Sequence, residues 1–509
     1  MSLLKATLDE TSKSISGNPI RAWPIVDVGI ALCLAAILVV LSANALSQGP
    51  WLDEFWTLEL SDPRKGLPML SDGWLRDTRP PGFNLWATLL SSFGITSIPE
   101  ARLASNLPAA GLMIWASAEA VRRRPADYSF HVALLLVVLA LPQSVEAFAN
   151  YRSYFWQIAA TAMLVMIARH VVMTNTDVDP RRDRGLIVVA ILATAGSMAL
   201  HYVGAIFGGL LVGSVILWAA RRRHWRWVGL LFATALITTL CVVAIGLLQA
   251  RHWAVDLDHR WIDAQPLAAV LAVPLALIAG TVVNNLVPLA ALWPGWRRSS
   301  ASECGFVALT AVVLTLGLVV VLAIDAIQPI MVDRYLFAVP VLVAGMLAAL
   351  AARFEPSQGL RLLLALVAVG VMAEPLLMRG AKPLWDEGAR TIAKIVKACP
   401  STQVYAGSGW ALGPAAETFA ARREDPVFQR AYEALASVHG YTVRFMRQDE
   451  ALRVPSGRCP VVVWYEHTPN NAEGDLPAAI KAAGLTGIEG AKLTFTRSPT
   501  GFVVRADVR

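Results

Sequence analysis

Residues 25–47 read IVDVGIALCLAAILVVLSANALS, and residues 51–56, which follow almost directly, read WLDEFW. The first stretch carries a single charged residue and is long enough to cross the hydrocarbon core of a bilayer, which takes about 20 residues. Residues 1–24 are mostly polar, whereas a cleavable signal peptide places its charge and its apolar run earlier. We therefore predict a retained membrane span, with a carboxylate pair, Asp53 and Glu54, where the chain leaves the membrane.

The chain as a whole is strongly apolar. Of its 509 residues, 56% are hydrophobic and 16% are charged, and the mean hydropathy is +0.53. These values exclude an ordinary soluble globular protein. The formal net charge is +7, but the arginines stand in short clusters between apolar runs, without the basic and aromatic pattern of nucleic-acid binding. No CxxC motif or His/Cys cluster predicts a zinc site. The composition predicts a polytopic membrane protein with no nucleic-acid partner.

Apolar runs recur along the chain and predict an all-α membrane domain of about eleven spans. They lie at residues 25–47, 102–121, 129–149, 154–174, 186–201, 203–220, 228–248, 267–292, 305–325, 335–352 and 361–378. The region 186–220 is the weakest, because it must be divided near His201 and Tyr202 to make two crossings. The stretch 82–95 is too short to cross, and we predict a helix on the membrane surface there.

Arginine placement predicts the orientation, because Lys and Arg in short loops stay in the cytoplasm. With a cytoplasmic tail at residues 1–24, the inner loops hold Arg122, Arg123, Arg124, Arg181, Arg182, Arg184, Arg221, Arg222, Arg223, Arg226, Arg297, Arg298, Arg353 and Arg361. The short outer loops hold only Arg152, Arg251, Arg260 and Arg334. This asymmetry divides the chain into a membrane domain at 25–379, which includes an outer loop at 48–101, and an outer tail at 380–509.

The tail has a pattern of its own. Helix-like and strand-like stretches follow one another at residues 386–398, 402–407, 427–438, 461–465, 492–496 and 502–506. Strands that alternate with helices predict a small extracytoplasmic α/β domain. Cys399 and Cys459 each precede a proline and a strand. If those strands are neighbours, an extracytoplasmic compartment permits a disulfide; two unpaired cysteines are the alternative.

A second motif stands in the outer loop 48–101. Residues 77–83 read DTRPPGF, and the two prolines predict the start of an amphipathic helix, because proline is accepted in the first turn of a helix and breaks its interior. Asp53 and Glu54 taken alone also fit interfacial charges flanked by an aromatic belt. The proline motif beside them favours a functional site in this loop.

The order and sidedness of these motifs resemble the GT-C superfamily, and within it the protein O-mannosyltransferase and aminoarabinose-transferase group. The resemblance covers about residues 25–350. It is carried by the Asp-Glu pair, the two prolines, Phe93-Gly94, Ala101-Arg102-Leu103, Asn150-Tyr151-Arg152-Ser153-Tyr154, His201-Tyr202, and Arg334-Tyr335-Leu336 before Pro340. Relatives usually carry a histidine before the two prolines, where this chain has Arg79. We expect Arg79 to contact a phosphate or an acidic sugar in its place.

The resemblance implies a transferase that uses a sugar linked to a polyprenyl phosphate. Such a transfer needs a carboxylate that takes the proton from the acceptor hydroxyl, and cations that hold the phosphate as negative charge grows on the departing oxygen. The resemblance makes Asp53 the base of a single, inverting displacement, with Glu54 as a second carboxylate that orients the acceptor. A retaining double displacement would need two suitably spaced carboxylates.

Basic and aromatic side chains complete the predicted site. The donor phosphate is predicted to bind Arg152, Arg334, Arg79 and Arg260. Arg152 and Arg334 are the preferred phosphate ligands, because each is the lone basic residue of its short outer loop. The alternative role for each is an interfacial anchor. The resemblance further implies substrate contacts from Tyr151, His201, Tyr202 and Tyr335. His201 also fits a structural role at a helix end.

We therefore predict a multi-pass glycosyltransferase of the bacterial inner membrane, with its site and its C-terminal domain on the outer side. Its partners are predicted to be a polyprenyl-phosphate sugar, membrane lipids, and a glycolipid, polysaccharide or protein acceptor. A divalent metal is left open, because carboxylates suit hard cations but one Asp-Glu pair is not a site. The main alternative is a transporter or flippase of lipid-linked sugars, which should show internal repeats with broken helices. A non-catalytic assembly protein would leave the Asp-Glu pair without a role.

Overall fold

The computed structural model describes residues 23–77, 79–256, 265–291, 300–352, 385–408, 425–446, 452–453, 459–466, 485–486, 491–497 and 501–507. The helices of the first part are α1 (Trp23–Ser47), α2 (Leu52–Leu60), α3 (Leu67–Arg76), α4 (Gly82–Ser92), α5 (Ile98–Arg123), α6 (Tyr128–Ala140), α7 (Pro142–Phe148), α8 (Tyr154–Met173), α9 (Arg184–Ala199), α10 (Tyr202–Arg221), α11 (Trp225–Asp256), α12 (Leu267–Ala291), α13 (Ala301–Ile327) and α14 (Ala338–Ala351). The second part contains α15 (Trp385–Ala398), β1 (Gln403–Ser408), α16 (Asp425–Val438), β2 (Arg444–Phe445), β3 (Leu452–Arg453), β4 (Val461–Glu466), β5 (Leu485–Thr486), β6 (Lys492–Arg497) and β7 (Gly501–Asp507).

The first part is a polytopic membrane domain. Among the described helices, α1, α8, α10, α11, α12 and α13 are long and apolar enough to cross a membrane. The pair α6 and α7 adds a seventh candidate, bent by 64° at Pro142, where a proline has no N–H for the helical ladder. The first ten predicted spans each coincide with a helix or with this bent pair. The eleventh, 361–378, lies outside the described residues.

Helix α8 lies at the centre of the bundle. Of its membrane span, 89% is buried inside the protein, against 11% for the peripheral α11, because α5, α9, α10, α13 and α14 all pack against it. Small residues allow this: a Cβ atom on Gly196 of α9 would lie only 3.1 Å from the Cβ of Ala160. Close packing through small residues is a main source of helix association in lipid. Helix α8 is the most buried of the described membrane spans, and it therefore gives a rigid support to the residues at its ends.

Loops predicted on the same side of the membrane meet at the same end of the bundle. At the end that lies away from Asp53, Arg169 pairs with Asp127 at 3.1 Å and with Glu303 at 3.6 Å, and Arg123 pairs with Asp183 at 3.2 Å. These residues come from the starts or ends of α5, α6, α8, α9 and α13. The alternation of inner and outer loops is thus present in the packing, while the side that faces the cytoplasm remains a prediction from the arginines.

The segment between α1 and α5 contains three short helices, α2, α3 and α4. The predicted surface helix at 82–95 is present as α4, which begins directly after Pro80-Pro81 and is followed by Gly94 in a left-handed conformation (φ +83°) that suits glycine. Helices α2 and α3 are not among the elements that the sequence predicted in this loop. This loop carries most of the candidate site.

The C-terminal part is the predicted α/β domain. Its five-stranded sheet has the order β2-β1-β4-β7-β6, in which β1 is parallel to β2 and β4, and β7 is antiparallel to β4 and β6. All six predicted helices and strands are present. The sheet packs on α15 and α16 through Trp385, Tyr432 and Trp464, which are fully or almost fully buried.

Cys399 and Cys459 form a disulfide. Strands β1 and β4 are neighbours, with Gln403 opposite Val461, so that Cys399 and Cys459 just before them lie 5.6 Å apart at Cα and are bonded through their sulfur atoms. The alternative of two unpaired cysteines is excluded. The bridge closes a loop of 60 residues that contains α16.

Replacing the bridge should destabilise the C-terminal domain. Closing a loop of this length is expected to contribute about 4 kcal/mol to the free energy of unfolding, so that Cys399→Ser with Cys459→Ser should melt markedly earlier. In denatured, unreduced wild-type protein, only Cys33, Cys241 and Cys304 should react with a maleimide, as counted by mass spectrometry. Five reactive thiols would contradict the disulfide.

Candidate active site

Helix α2 presents three different faces to its surroundings. It has nine residues, and successive side chains are turned by about 100°. Asp53 and Thr57 share one face. Glu54 points to the interior of the membrane domain, and Leu52 and Phe55 point to the C-terminal domain. Neighbouring carboxylates at 53 and 54 are therefore directed to different places.

Glu54 forms a buried ion pair with Arg102 of α5. Arg102 Nε and Nη2 donate to the two carboxylate oxygens at 2.7 and 2.6 Å, and the same oxygens accept the backbone N–H groups of Tyr151 at 2.7 Å and Trp51 at 2.9 Å. Arg102 uses its remaining N–H groups on the carbonyls of Ala45, Gln48 and Gly49. Both side chains are essentially inaccessible to solvent.

The surroundings of Glu54 suit a structural role. Its four hydrogen bonds occupy both oxygens, and its partner Arg102 has all five N–H groups bonded, so that both buried charges are compensated. The pair ties the end of α1, the start of α2, helix α5 and the segment before α8 together. The structure thus places Glu54 apart from Asp53, in the packed interior.

Three arginines surround the carboxylate of Asp53. Its Oδ2 atom lies 3.5 Å from Arg152 Nη2, 3.7 Å from Arg79 Nη2 and 3.9 Å from Arg334 Nη1. The arginines come from three separate segments: the link between α7 and α8, the link between α3 and α4, and the short 3-10 helix before α14. The structure brings together the predicted base, Asp53, and three of the four predicted phosphate ligands.

The arginine cluster has unused donors. Arg152 is fixed by Nη1, which donates to the Asp53 carbonyl at 2.8 Å and to Thr57 Oγ1 at 2.9 Å. The Nε atoms of Arg152 and Arg79 are buried and have no hydrogen-bond partner within the part of the chain that is described. A buried donor without a partner costs free energy. The cluster of three guanidinium groups and one carboxylate therefore has an excess of positive charge and two N–H donors that no described residue accepts.

Arg79 is held by a residue that the sequence did not single out as functional. Gln249, near the C-terminal end of α11, donates through Nε2 to the carbonyls of Arg79 at 2.7 Å and Trp74 at 2.8 Å. Its Oε1 atom accepts the hydroxyl of Tyr202. The Arg79 guanidinium lies 5.2 Å over the ring of Tyr154. Gln249 is the first polar residue after an apolar run, which was the only available signal.

Tyr202 and Tyr151 contribute through this framework. Tyr202 anchors Gln249, as described above. Tyr151 is fully buried, its ring packs 5.6 Å from that of Phe83, and its backbone N–H binds Glu54. Both predicted substrate residues are thus engaged in contacts that support the site.

His201 and Tyr335 lie beside the arginines. Their rings are 4.6 Å apart, and His201 is 6.4 Å from Tyr154, whose buried hydroxyl has no hydrogen-bond partner among the described residues. His201 caps α10 by accepting the N–H of Val203 at Nδ1. Burial and the nearby positive charges of Arg79, Arg152 and Arg334 lower the pKa of His201 to about 3, so that the imidazole is neutral near pH 7.

Two predictions are not tested by the structure. Arg260 lies outside the described residues. A divalent metal stays open as well: within the described segments no group of three or more His, Cys, Asp or Glu side chains could hold a metal ion. The three side chains paired with Asp53 are arginines, and their positive charge favours an anion over a metal ion at this place.

Comparison with solved structures shows the same fold in another protein. The crystal structure of ArnT from Cupriavidus metallidurans in the apo state aligns with a TM-score of 0.50 and 15% identity, and ArnT from the same organism bound to undecaprenyl phosphate aligns with a TM-score of 0.52 and 14% identity. Each alignment covers 94% of this chain and 97% of ArnT. No protein-family model and no curated protein matches the sequence. At this identity the likeness shows the fold alone, and the predicted architecture of a polytopic membrane domain followed by a small C-terminal domain is confirmed.

Removing the charge of Glu54 should destabilise the protein. Glu54→Gln leaves Arg102 buried without a counter-charge, which typically costs about 3–5 kcal/mol. The matched control is Glu119→Gln, which removes a pair with the exposed Arg122 and is expected to cost at most about 1 kcal/mol. Thermal melting of the detergent-solubilised proteins measures the difference. Equal melting temperatures for the two variants would show that the buried pair does not hold this region.

His201 should not contribute a titration at neutral pH. Because its lowered pKa keeps the ring neutral, the affinities of wild type and His201→Gln for undecaprenyl phosphate should follow parallel pH profiles between about pH 5 and pH 8. Comparing the two profiles removes the titration of the phosphate itself. Profiles that separate below about pH 6.5 would show a protonated histidine in the site.

Proposed function

We propose that this protein is a membrane glycosyltransferase that takes a sugar from a polyprenyl-phosphate carrier and transfers it to a hydroxyl group at the Asp53 end of the bundle. The convergence of Arg79, Arg152 and Arg334 on Asp53 is the observation that carries the proposal. A carboxylate beside an anion-binding cluster provides the base and the phosphate ligands that such a transfer requires.

The charge of the cluster suits the departing phosphate. The sugar carrier is a phosphodiester with one negative charge, and cleavage of the bond between the sugar and the phosphate oxygen leaves a phosphomonoester with up to two. Three guanidinium groups and one carboxylate have a net charge of +2. Fixed donors that meet developing charge lower the barrier, because they need no reorganisation during the reaction.

Asp53 acts as the base in this proposal. It takes the proton from the acceptor hydroxyl while that oxygen bonds to the anomeric carbon, and the bonding electrons of the departing bond stay on the phosphate. A single displacement of this kind inverts the anomeric centre. Asp53 is partly exposed, with 26% of its side chain accessible, whereas Glu54 has no accessible surface. The exposed carboxylate is the one that an acceptor can reach, and Glu54 positions the helix that carries it.

The fold supports a lipid carrier as donor. ArnT, which shares the fold, has been crystallised with undecaprenyl phosphate. In this chain the peripheral helices α11 and α12 bury only 11% and 22% of their spans, so that apolar surface faces the lipid beside the site. A carrier with its tail in the bilayer can thus enter sideways, with its phosphate at the arginines.

The outer side of the bacterial inner membrane is the proposed location. The arginine bias places the Asp53 end outside, and the disulfide in the adjoining domain fits an oxidising compartment. The proposed acceptor is a hydroxyl of a glycolipid, a polysaccharide or a protein. Arg79 is buried and directed at Asp53 with the other two arginines, which favours the donor phosphate over an acidic acceptor as its ligand.

Substitutions at the cluster should separate chemistry from binding. Asp53→Asn is expected to lower transfer from radiolabelled polyprenyl-phosphate sugars by about 10²–10⁴-fold, the usual contribution of a general base, while undecaprenyl phosphate still binds. Arg152→Ala with Arg334→Ala should weaken that binding. Asp72→Asn, an exposed carboxylate of α3, is the control in the same loop.

The assay uses membranes with equal amounts of each variant and a panel of donors. Near-normal transfer by Asp53→Asn would remove Asp53 as the base. Unchanged binding of undecaprenyl phosphate by the double arginine variant would remove the phosphate site.

A further inference from the structure

The face of α2 that points away from the membrane domain is covered by the C-terminal domain. Helix α16 packs directly against α2. Leu52 and Phe55 of α2 are 5% and 3% exposed and belong to the same buried cluster as Trp385 and Phe428 of the C-terminal domain. Exclusion of water from such a cluster is the main source of docking free energy.

An arginine of α16 adds directed contacts at the other end of α2. Arg430 Nη1 lies 3.1 Å from Glu59 Oε2, and Nη2 lies 3.2 Å from Asp62 Oδ2. Each carboxylate also has a local cation, Lys65 for Glu59 and Arg64 for Asp62. Hydrogen bonds from Arg64, and further from Arg430, hold the pKa of Asp62 well below its usual range. The single fork of Arg430 therefore bridges two ionised groups that flank the end of the helix.

The contacts of Arg430 stabilise a helix that is too short to be stable by itself. A helix of nine residues is marginal in isolation, so its position must come from its neighbours. The Glu54–Arg102 pair fixes its first turn. Glu59, six positions after Asp53, is about 9 Å along the axis, and a contact there limits both tilt and rotation.

We propose that the C-terminal domain is a positioning element for Asp53, and that Arg430 is its positioning residue. The proposal rests on the proposed function, because it takes Asp53 as the base. The described ion pairs of Arg430 are with Glu59 and Asp62, which lie outside the arginine cluster. It acts through Glu59 and Asp62 on the helix, and the helix sets the distance between the Asp53 carboxylate and the acceptor.

The position of the base matters more for turnover than for binding. A displacement of about 1 Å at a reacting group can lower a rate about 10²-fold. The phosphate ligands Arg152 and Arg334 lie on other segments, so a loosened α2 should leave donor affinity nearly intact. A domain that instead recruits the acceptor would change the KM for the acceptor and leave α2 as rigid as before.

The test compares Arg430→Ala, Arg430→Lys and the control Arg390→Ala in the full-length protein in lipid nanodiscs. Arg390 also forms an ion pair in the C-terminal domain, with Asp386 of its own helix, and is 52% exposed. Hydrogen exchange of the 52–60 amides, kcat, and KM for donor and acceptor are measured for each variant.

Arg430→Ala is expected to speed exchange in α2 and to lower kcat by about tenfold or more, with both KM values within about threefold. Arg430→Lys, which keeps the charge but loses the fork, should fall between it and wild type, and Arg390→Ala should match wild type. Unchanged exchange in Arg430→Ala, faster exchange at full kcat, or a change confined to the acceptor KM would overturn the positioning role. Absence of transfer by wild type with every polyprenyl-phosphate sugar would instead refute the proposed function, while the exchange data would still report whether Arg430 holds α2.

Discussion

Arg102 is almost fully buried and donates five hydrogen bonds, two to Glu54 and three to carbonyls at and just after the end of α1. Inside such a protein an ionic group is stable only when its charge and its donors are all matched. The pair therefore ties the end of α1, the first turn of α2 and helix α5 together, and through the N–H of Tyr151 it also holds the segment before α8. Asp53 lies in that first turn, while Glu59 and Asp62 hold the other end of α2 through Arg430.

Two adjacent carboxylates consequently have separate tasks. Helical geometry turns Asp53 and Glu54 to different sides, and their surroundings then differ: Glu54 meets a fully bonded partner at 2.6 Å, whereas Asp53 meets three arginines at 3.5–3.9 Å. The shorter contacts lock a side chain in place. The longer contacts surround the Asp53 carboxylate with positive charge from three separate segments.

The features that depend on a local sequence pattern, or on the side of the membrane on which a loop lies, were predicted from the sequence. Apolar runs located the described spans, Pro80-Pro81 located α4, and alternating loops placed Asp53, Arg152 and Arg334 at one end. Glu54 was predicted beside the acceptor, because nothing local shows that Arg102, 48 residues later, compensates it. Gln249 went unrecognised for the same reason, since the carbonyls that it binds lie 170 and 175 residues earlier and Tyr202 lies 47 residues earlier. The periodicity of the sequence does not indicate which distant residue a single polar side chain will bind.

The arrangement also relates donor binding to the state of the base. Without a phosphate, the Asp53 carboxylate lies within 3.9 Å of all three arginines. Under the proposed function, a carrier phosphate brings a second anion to the same guanidinium groups, and like charges at short range repel each other. Protonation of Asp53 removes this repulsion, and the acceptor hydroxyl is the group that can supply the proton. Donor binding would in this way strengthen the base at the moment when the leaving group is in place.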